Sequence, residues 1–176
     1  MRGMSRVIEL TALDMVDQPA VERLLDRAFG ADRHGRTAYL LRAGTAAIPG
    51  ISLAAVEHQA LVGTIQCWPV ALAGDDGAIT PLVLVGPVAV APERQRDGIG
   101  RQLVAASLAR AADEGLDGAM MLIGDPEYYG RFFGFSAERT GGWRLPGPVE
   151  RHRLLARGPC VPAGSGMIGP RATIAA

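Results

Sequence analysis

The chain has 176 residues, and its 18 Lys and Arg balance 18 Asp and Glu, so its formal net charge is zero. This balance excludes the strong positive field by which proteins attract nucleic acid or an anionic membrane, and 48% hydrophobic residues exclude a disordered chain. Because no apolar run reaches the roughly 18 residues that span a bilayer, because no secretory signal is present, and because Cys67 and Cys160 lie far apart, we expect one cytoplasmic domain over residues 1–176 with no metal.

The first predicted elements are a strand and two helices. Residues 7–10 have the pattern of a short strand. A helix follows between the capping residue Asp17 and the pair Phe29-Gly30, since glycine readily adopts the left-handed conformation that ends helices. A second helix is predicted over residues 39–47, where it stops before Pro49-Gly50.

Three strands come next. They are predicted over residues 52–57, 61–73 and 79–90, with a tight turn at 58–59 and a hairpin turn rich in glycine and aspartate at 74–77. Residues 82–85 are apolar at every position, which indicates a strand that is buried on both faces. Gly86-Pro87 predicts a bulge or a splay, because proline donates no hydrogen bond to a sheet and glycine bends easily.

The remaining elements alternate. Apolar residues at three- and four-residue spacing from Ile99 predict a helix, and residues 119–123 predict a buried strand. Asp125 caps a short helix, and residues 143–145 and 152–156 predict further strands. From Gly158 onward we expect loop. The sum is one α+β domain on a mostly antiparallel sheet, with a core over residues 6–140 and with C-terminal strands and a Gly- and Pro-rich tail over 141–176.

The turn between the strand 79–90 and its following helix carries most of the chemical information. It reads Gln95-Arg96-Asp97-Gly98-Ile99-Gly100-Arg101. The start of a helix leaves backbone N–H groups unpaired and favours negative charge, and glycine lets a phosphate approach the backbone closely. The glycine spacing matches neither the dinucleotide fingerprint nor the P-loop. The turn therefore predicts a pyrophosphate site, the alternative being that its glycines only form a turn.

These residues resemble a known family. The order Gly86-Pro87-Val88-Ala89-Val90, then Gln95-x-x-Gly98-x-Gly100, resembles motif A of the GNAT superfamily of acyl-CoA-dependent N-acyltransferases. Downstream, Gly124-Asp125-Pro126-Glu127-Tyr128-Tyr129 is similar to the tyrosine-bearing helix of a bacterial branch of predicted N-acetyltransferases. The resemblance implies a GNAT-like fold, in which a mixed, mostly antiparallel central sheet has a splayed central strand and about four flanking helices.

The resemblance also implies a reaction, the direct transfer of an acetyl group from acetyl-CoA to a primary amine of a small molecule or a protein. The pantetheine arm would contact Val88, Ala89 and Val90. The pyrophosphate would contact Gln95, Arg96, Asp97, Gly98, Ile99, Gly100 and Arg101. Strands at the C-terminal end imply a homodimer as a further expectation.

The resemblance implies a tyrosine as the acid that protonates the departing thiolate. We favour Tyr129 and keep Tyr128 as the alternative. Asp125, Glu127 and His34 are weak candidates for a base, and we assign none. Two other functions stay open at this point: a non-catalytic acyl-CoA-binding sensor or scaffold, and an enzyme that binds another nucleotide phosphate at the same turn.

Overall fold

The computed structural model describes residues 7–172, so the first six and last four residues of the predicted domain lie outside the described range. Eight strands occur in this range: β1 Glu9–Ala12, β2 Leu53–Glu57, β3 Ala60–Gly74, β4 Ile79–Val90, β5 Met120–Ile123, β6 Trp143–Arg144, β7 Leu154–Arg157 and β8 Gly166–Pro170. The α-helices are α1 Gln18–Phe29, α2 Thr37–Leu40, α3 Ile99–Asp113 and α4 Pro126–Phe133. None of them has the length and apolar character required to cross a bilayer.

All eight strands belong to one sheet in the order β1-β2-β3-β4-β5-β7, with β8 and β6 added beside β3. The pairs are antiparallel except β4 with β5 and β6 with β8. The first half of β3 pairs with β2, and residues 70–74 of the same edge pair with β8. The predicted mixed, mostly antiparallel sheet with four helices is therefore confirmed.

The helices cover both faces of the sheet. Apolar side chains of α3, such as Leu103 and Val104, pack on one face with Ile65 and Val83. On the opposite face Leu24 and Leu25 of α1 form a separate cluster that contains Ala89. A third cluster, which includes Trp68, Leu84 and Trp143, lies beneath the C-terminal segments. The central strands are thus buried on both sides, as their unbroken apolar sequence predicts.

A bulge in β4 confirms the irregularity predicted at Gly86-Pro87. Val85 pairs with Cys67 and Val88 pairs with Ile65, so β4 carries one residue more than β3 between these two pairs. Because side chains alternate along a strand, the extra residue shifts the alternation, so that the side chains of β4 beyond the bulge change faces of the sheet. Val83 and Val85 pack with α3, and beyond the bulge it is Val88, not Ala89, that contacts this cluster.

Two predicted elements are wrong. The helix expected over residues 39–47 is the single turn α2, which begins earlier, at Thr37. The side chain of Arg42 lies between the rings of Tyr39 and Trp68, and the Thr45 hydroxyl donates to the Arg42 carbonyl, so the chain turns away from a helical path. The expected C-terminal loop contains β8, which completes the edge of β3.

Other boundaries shift by a few residues. The first strand begins at Glu9, opposite Val56, rather than at residue 7. The strand expected over residues 152–156 begins at Leu154, because residues 151–153 form a 3-10 turn in which the Arg153 N–H donates to the Glu150 carbonyl at 2.9 Å.

A substitution in β8 tests whether this strand is part of the sheet. A Cβ at Gly166 would lie 2.3 Å from the carbonyl oxygen of Ala73, whereas a Cβ at Gly169 would meet nothing within 4 Å. Gly166→Ala is expected to lower the free energy of unfolding by about 1–3 kcal/mol in urea denaturation, the usual cost of overpacking. The matched control Gly169→Ala should change it by less than about 0.5 kcal/mol. Equal values for the two variants would contradict the placement of β8.

Candidate functional site

The central strands part at one place and leave an opening. β4 and β5 pair only at Val83 with Met120 and at Leu84 with Met121, after which β4 stays with β3 and β5 stays with β7. A cavity of about 750 Å³ occupies the gap, and we call it the cleft. It is lined by residues 84–88 of β4, residues 122–125 at the end of β5 and just after it, Tyr129 of α4, Phe29 of α1, residues 36–39 at the start of α2, and residues 148–150 and 153.

Two residues of β4 direct their backbone groups away from β3. The Ala91 N–H donates to the Val62 carbonyl of β3 at 2.9 Å. Because backbone groups alternate along a strand, Ala89 also faces β3, whereas the backbone groups of Val88, which lines the cleft, and of Val90 face away from it. The parted strand thus exposes hydrogen-bonding groups to which an extended ligand can add like a strand.

A second cavity of about 460 Å³ lies at the start of α3, and we call it the helix groove. Its wall includes Gly98, which caps α3 in the left-handed conformation at φ 78°, and Gly100. The N–H groups of residues 98–101 donate no hydrogen bond to any group within residues 7–172. Four unpaired donors at a helix start form a site for an anion.

The three arginines of the turn have different roles. Arg94 forms ion pairs with Glu57 at 2.7 Å and with Asp97, and the hydrogen bond to Glu57 is the main reason that its pKa is raised. Arg94 and Asp97 therefore hold the turn together. Arg96 and Arg101 line the helix groove, where the guanidinium of Arg101 lies 3.9 Å from the ring centre of Phe132.

Not every predicted contact residue can offer its side chain to a ligand. The side chain of Ile99 is buried in the core under α3. Gln95, in contrast, lines the helix groove beside Gly98. Ala89 is buried against α1 and lines neither cavity, so among Val88, Ala89 and Val90 only the two valines reach the open space.

The two neighbouring tyrosines of α4 line different cavities. Tyr129 lies in the cleft, where a Cβ on Gly124 would be 2.6 Å from its ring. Tyr128 lies in the helix groove with Phe132. Burial raises the pKa of Tyr129 to about 12, and the nearby Arg153 only partly opposes this effect. Burial also raises the pKa of Tyr128. Of the two tyrosines of α4, Tyr129 is thus the one that lines the cleft.

The candidate bases differ in position. Asp125 lines the cleft, but one of its carboxylate oxygens accepts the N–H of Glu127 at 3.0 Å as a helix cap. Glu127 is exposed, and His34 packs against Tyr39 outside both cavities. The strand β4 contributes no acid to the cleft.

The sequence did not indicate several residues of the cleft wall, among them Arg36, Tyr39, Glu150 and Arg153. They lie in segments far apart in the chain and belong to no recognisable motif, so only the fold brings them to the cleft. Arg33, which is 2% exposed, fixes this wall by bonding Asp26 at 2.9 Å, the Tyr39 hydroxyl at 2.7 Å and Glu22.

Charge pairing determines the protonation of this buried arginine. Burial alone would lower the pKa of Arg33, but its hydrogen bonds to Glu22, Tyr39 and Asp26 together raise it. Arg33 therefore stays charged and keeps Tyr39 in place beside the cleft. Within the described part of the chain, no cluster of three or more His, Cys, Asp or Glu side chains could hold a metal ion.

Comparison with known proteins agrees with this geometry. The model of an acetyltransferase (GNAT) domain matches residues 11–137. No curated protein matches the chain significantly.

Solved structures show the same fold. A GNAT family N-acetyltransferase from Escherichia coli, crystallised with CoA, superposes with a TM-score of 0.76 at 22% identity, over 97% of this chain and 93% of that one. A GNAT family acetyltransferase from Brucella melitensis, crystallised with acetyl-CoA, gives a TM-score of 0.67 at 27% identity, over 95% of this chain and 97% of that one.

The contact between Gly124 and Tyr129 generates a test. Gly124→Ala should push the phenol toward solvent, so the pKa of Tyr129 should fall from about 12 toward the ordinary value of about 10. The measurement is the tyrosinate absorbance after a rapid pH jump. The control Gly141→Ala, which adds a Cβ in open space, should leave the titration unchanged.

The same shift has a consequence for stability. Because the folded pKa of Tyr129 is raised above the unfolded value, burial of the phenol stabilises the fold below about pH 10, and this contribution is lost as the pH rises toward 12. If the absorbance titration of Gly124→Ala still shows a tyrosine with the raised pKa, the close packing of the Tyr129 ring is contradicted.

Proposed function

The chain belongs to the GNAT acetyltransferase family and is an acyltransferase, and from that premise we propose that it transfers the acetyl group of acetyl-CoA to a primary amine. The observation that carries the proposal is the continuity of the cleft with the helix groove. Phe29 and Val88 line both cavities, so one elongated ligand can extend from the start of α3 to Tyr129.

The residues present fit acetyl-CoA as the donor. The N–H groups of residues 98–101 and the side chains of Arg96 and Arg101 suit a pyrophosphate. The backbone groups of Val88 and Val90 suit the amides of a pantetheine arm. The crystallised complexes of the Escherichia coli and Brucella melitensis proteins with CoA and acetyl-CoA support this choice.

The proposed reaction is direct and its atoms balance. The neutral amine nitrogen attacks the thioester carbonyl carbon, a C–N bond forms and the C–S bond breaks. The nitrogen loses one proton to water, and the sulfur gains one from a protein acid. Val88, whose N–H faces the cleft, is in place to donate to the carbonyl oxygen as negative charge develops there.

We assign the acid to Tyr129, because it is the α4 tyrosine that lines the cleft, whereas the hydroxyl of Tyr39 in the opposite wall is bonded by Arg33. A phenol with a pKa of about 12 remains protonated at neutral pH and keeps its proton available. The same apolar wall that raises the pKa of this phenol would also raise that of a thiolate beside it, which favours the proton transfer. Tyrosinate then recovers a proton from water.

A conservative substitution separates the two tyrosines. Tyr129→Phe should lower kcat by about 100-fold or more while leaving the Kd for CoA nearly unchanged, because general acids contribute factors of this size. Tyr128→Phe, which changes the helix groove, should keep kcat within about threefold and is the matched control. Full activity in Tyr129→Phe would transfer the role of acid elsewhere.

The pH dependence should follow the acceptor rather than the protein. Because β4 contributes no acid to the cleft, we expect the ammonium to lose its proton to solvent before it reacts. The midpoint of kcat/KM against pH should therefore move with the pKa of the amine when two acceptors are compared. A midpoint that stays fixed for both acceptors would show that a group of the protein serves as the base.

The proposed function itself is tested by release of free thiol from acetyl-CoA with a panel of primary amines. Turnover of at least one amine is expected. In thermal denaturation CoA should stabilise the protein more than ATP or NAD at equal concentration. Stabilisation by CoA with no turnover of any amine would favour a sensor, and equal stabilisation by all three would contradict the choice of CoA.

A further inference from the structure

The cleft contains a cation that the reaction above does not use. Arg153 is exposed and lines the cleft, and within residues 7–172 its guanidinium donates no hydrogen bond and forms no ion pair. Tyr129 lines the same cavity, and the charge of Arg153 lowers the pKa of its phenol against the effect of burial. An unpaired guanidinium beside the reacting end of a cavity can bind an anion with two parallel hydrogen bonds.

Two hydrogen bonds fix the backbone of Arg153. Its N–H donates to the Glu150 carbonyl at 2.9 Å, and its own carbonyl accepts the N–H of Gly124 at 2.9 Å. Gly124 in turn packs against the ring of Tyr129. The arginine is therefore tied to the same turn that positions the proposed acid, and its position relative to the thioester end of the cleft is set by the fold.

The cleft is lined by equal numbers of basic and acidic residues. Arg36 and Arg153 are its cations, and Asp125 and Glu150 are its anions. Arg36 already donates to the Phe29 carbonyl at 2.6 Å, Asp125 caps α4, and the Glu150 carboxylate lies 3.5 Å from Nε2 of His152. Among the described residues this leaves the guanidinium of Arg153 without a hydrogen-bond or ion-pair partner. A cavity built for a polyamine would carry an excess of acid. Equal numbers of both charges suit an acceptor that is itself a zwitterion.

The size of the cleft favours a small acceptor. Its volume of about 750 Å³ lies within the range of small-molecule sites, and the acyl donor must share it. The Thr37 hydroxyl donates to the Pro148 carbonyl at 2.6 Å and joins residues 148–150 to α2 across the wall. This link narrows the space that a folded protein substrate would need.

We propose that the acceptor is a small amine that also carries an anionic group, a carboxylate or a phosphate, and that Arg153 binds this group and so determines specificity. This inference rests on the proposed function. With its anion on Arg153 the acceptor presents its amine toward the thioester, and the carboxylate of Glu150 attracts the arriving ammonium.

Acceptor pairs that differ only in the anion test the proposal. Amino carboxylic acids are compared with their carboxamides, and aminoalkyl phosphates form a third arm, all at equal concentrations of neutral amine. In the wild-type protein the anionic member should have a kcat/KM about 10- to 100-fold higher. Arg153→Gln should remove this preference through the KM of the anionic member, so that each amino acid and its carboxamide react with nearly equal kcat/KM in the variant. Arg110→Gln removes a surface charge outside both cavities and is the control.

A second readout does not depend on turnover. Anionic amines should raise the melting temperature of the CoA complex of the wild-type protein, and this increase should disappear in Arg153→Gln but not in Arg110→Gln. The preference of the carboxylate or the phosphate arm identifies the anion.

The failures of the two proposals are distinguishable. Turnover of amines without any preference for the anionic member, or a preference that persists in Arg153→Gln, overturns the role of Arg153 and leaves the acetyltransferase activity standing. Absence of turnover for every amine overturns the proposed function. In that case the melting temperatures still decide whether Arg153 binds an anion. The absence of an increase with anionic amines overturns the inference.

Discussion

One extra residue in β4 sets the geometry on which both cavities depend. At Gly86-Pro87 the strand bulges, its register against β3 shifts by one, and its pairing with β5 ends at Leu84. The cleft opens where those hydrogen bonds stop. The extra residue in β4 also shifts the alternation of its backbone groups. The backbone groups of Val88 and Val90 therefore point into the open space. A regular strand would have continued to pair with β5 and left no room for a ligand.

The bulge and the unpaired donors at the start of α3 could be predicted from the sequence because each depends on local chemistry. Gly86-Pro87 favours a bulge, and the first turn of any helix leaves its N–H groups unpaired, wherever these features occur in the fold. The wall of the cleft opposite β4 could not be predicted in this way. Arg36, Glu150 and Arg153 come from segments that lie far apart in the sequence, and only long-range contacts, such as Thr37 with Pro148, bring these segments together.

The wrong predictions have a similar cause. Residues 39–47 have the composition of a helix, but cation–π contacts hold Arg42 between Tyr39 and Trp68, and its hydrogen bond to the buried Gln66 ties it to the sheet. Tertiary contacts here override local propensity. The glycines after residue 158 indicate loop by composition, yet at Gly166 the lack of a side chain is what allows β8 to approach the backbone of Ala73.

The position of β8 also bears on how the chain acquires its structure. Residues 70–74 of β3 find their edge partners only at residues 166–170, nearly a hundred positions later. During synthesis on the ribosome this half of the edge stays unpaired until the C-terminal segment emerges, and an unpaired strand edge is a template for association with other chains. Loss of the last strand would therefore increase aggregation of newly made protein, although β8 contributes no residue to either cavity.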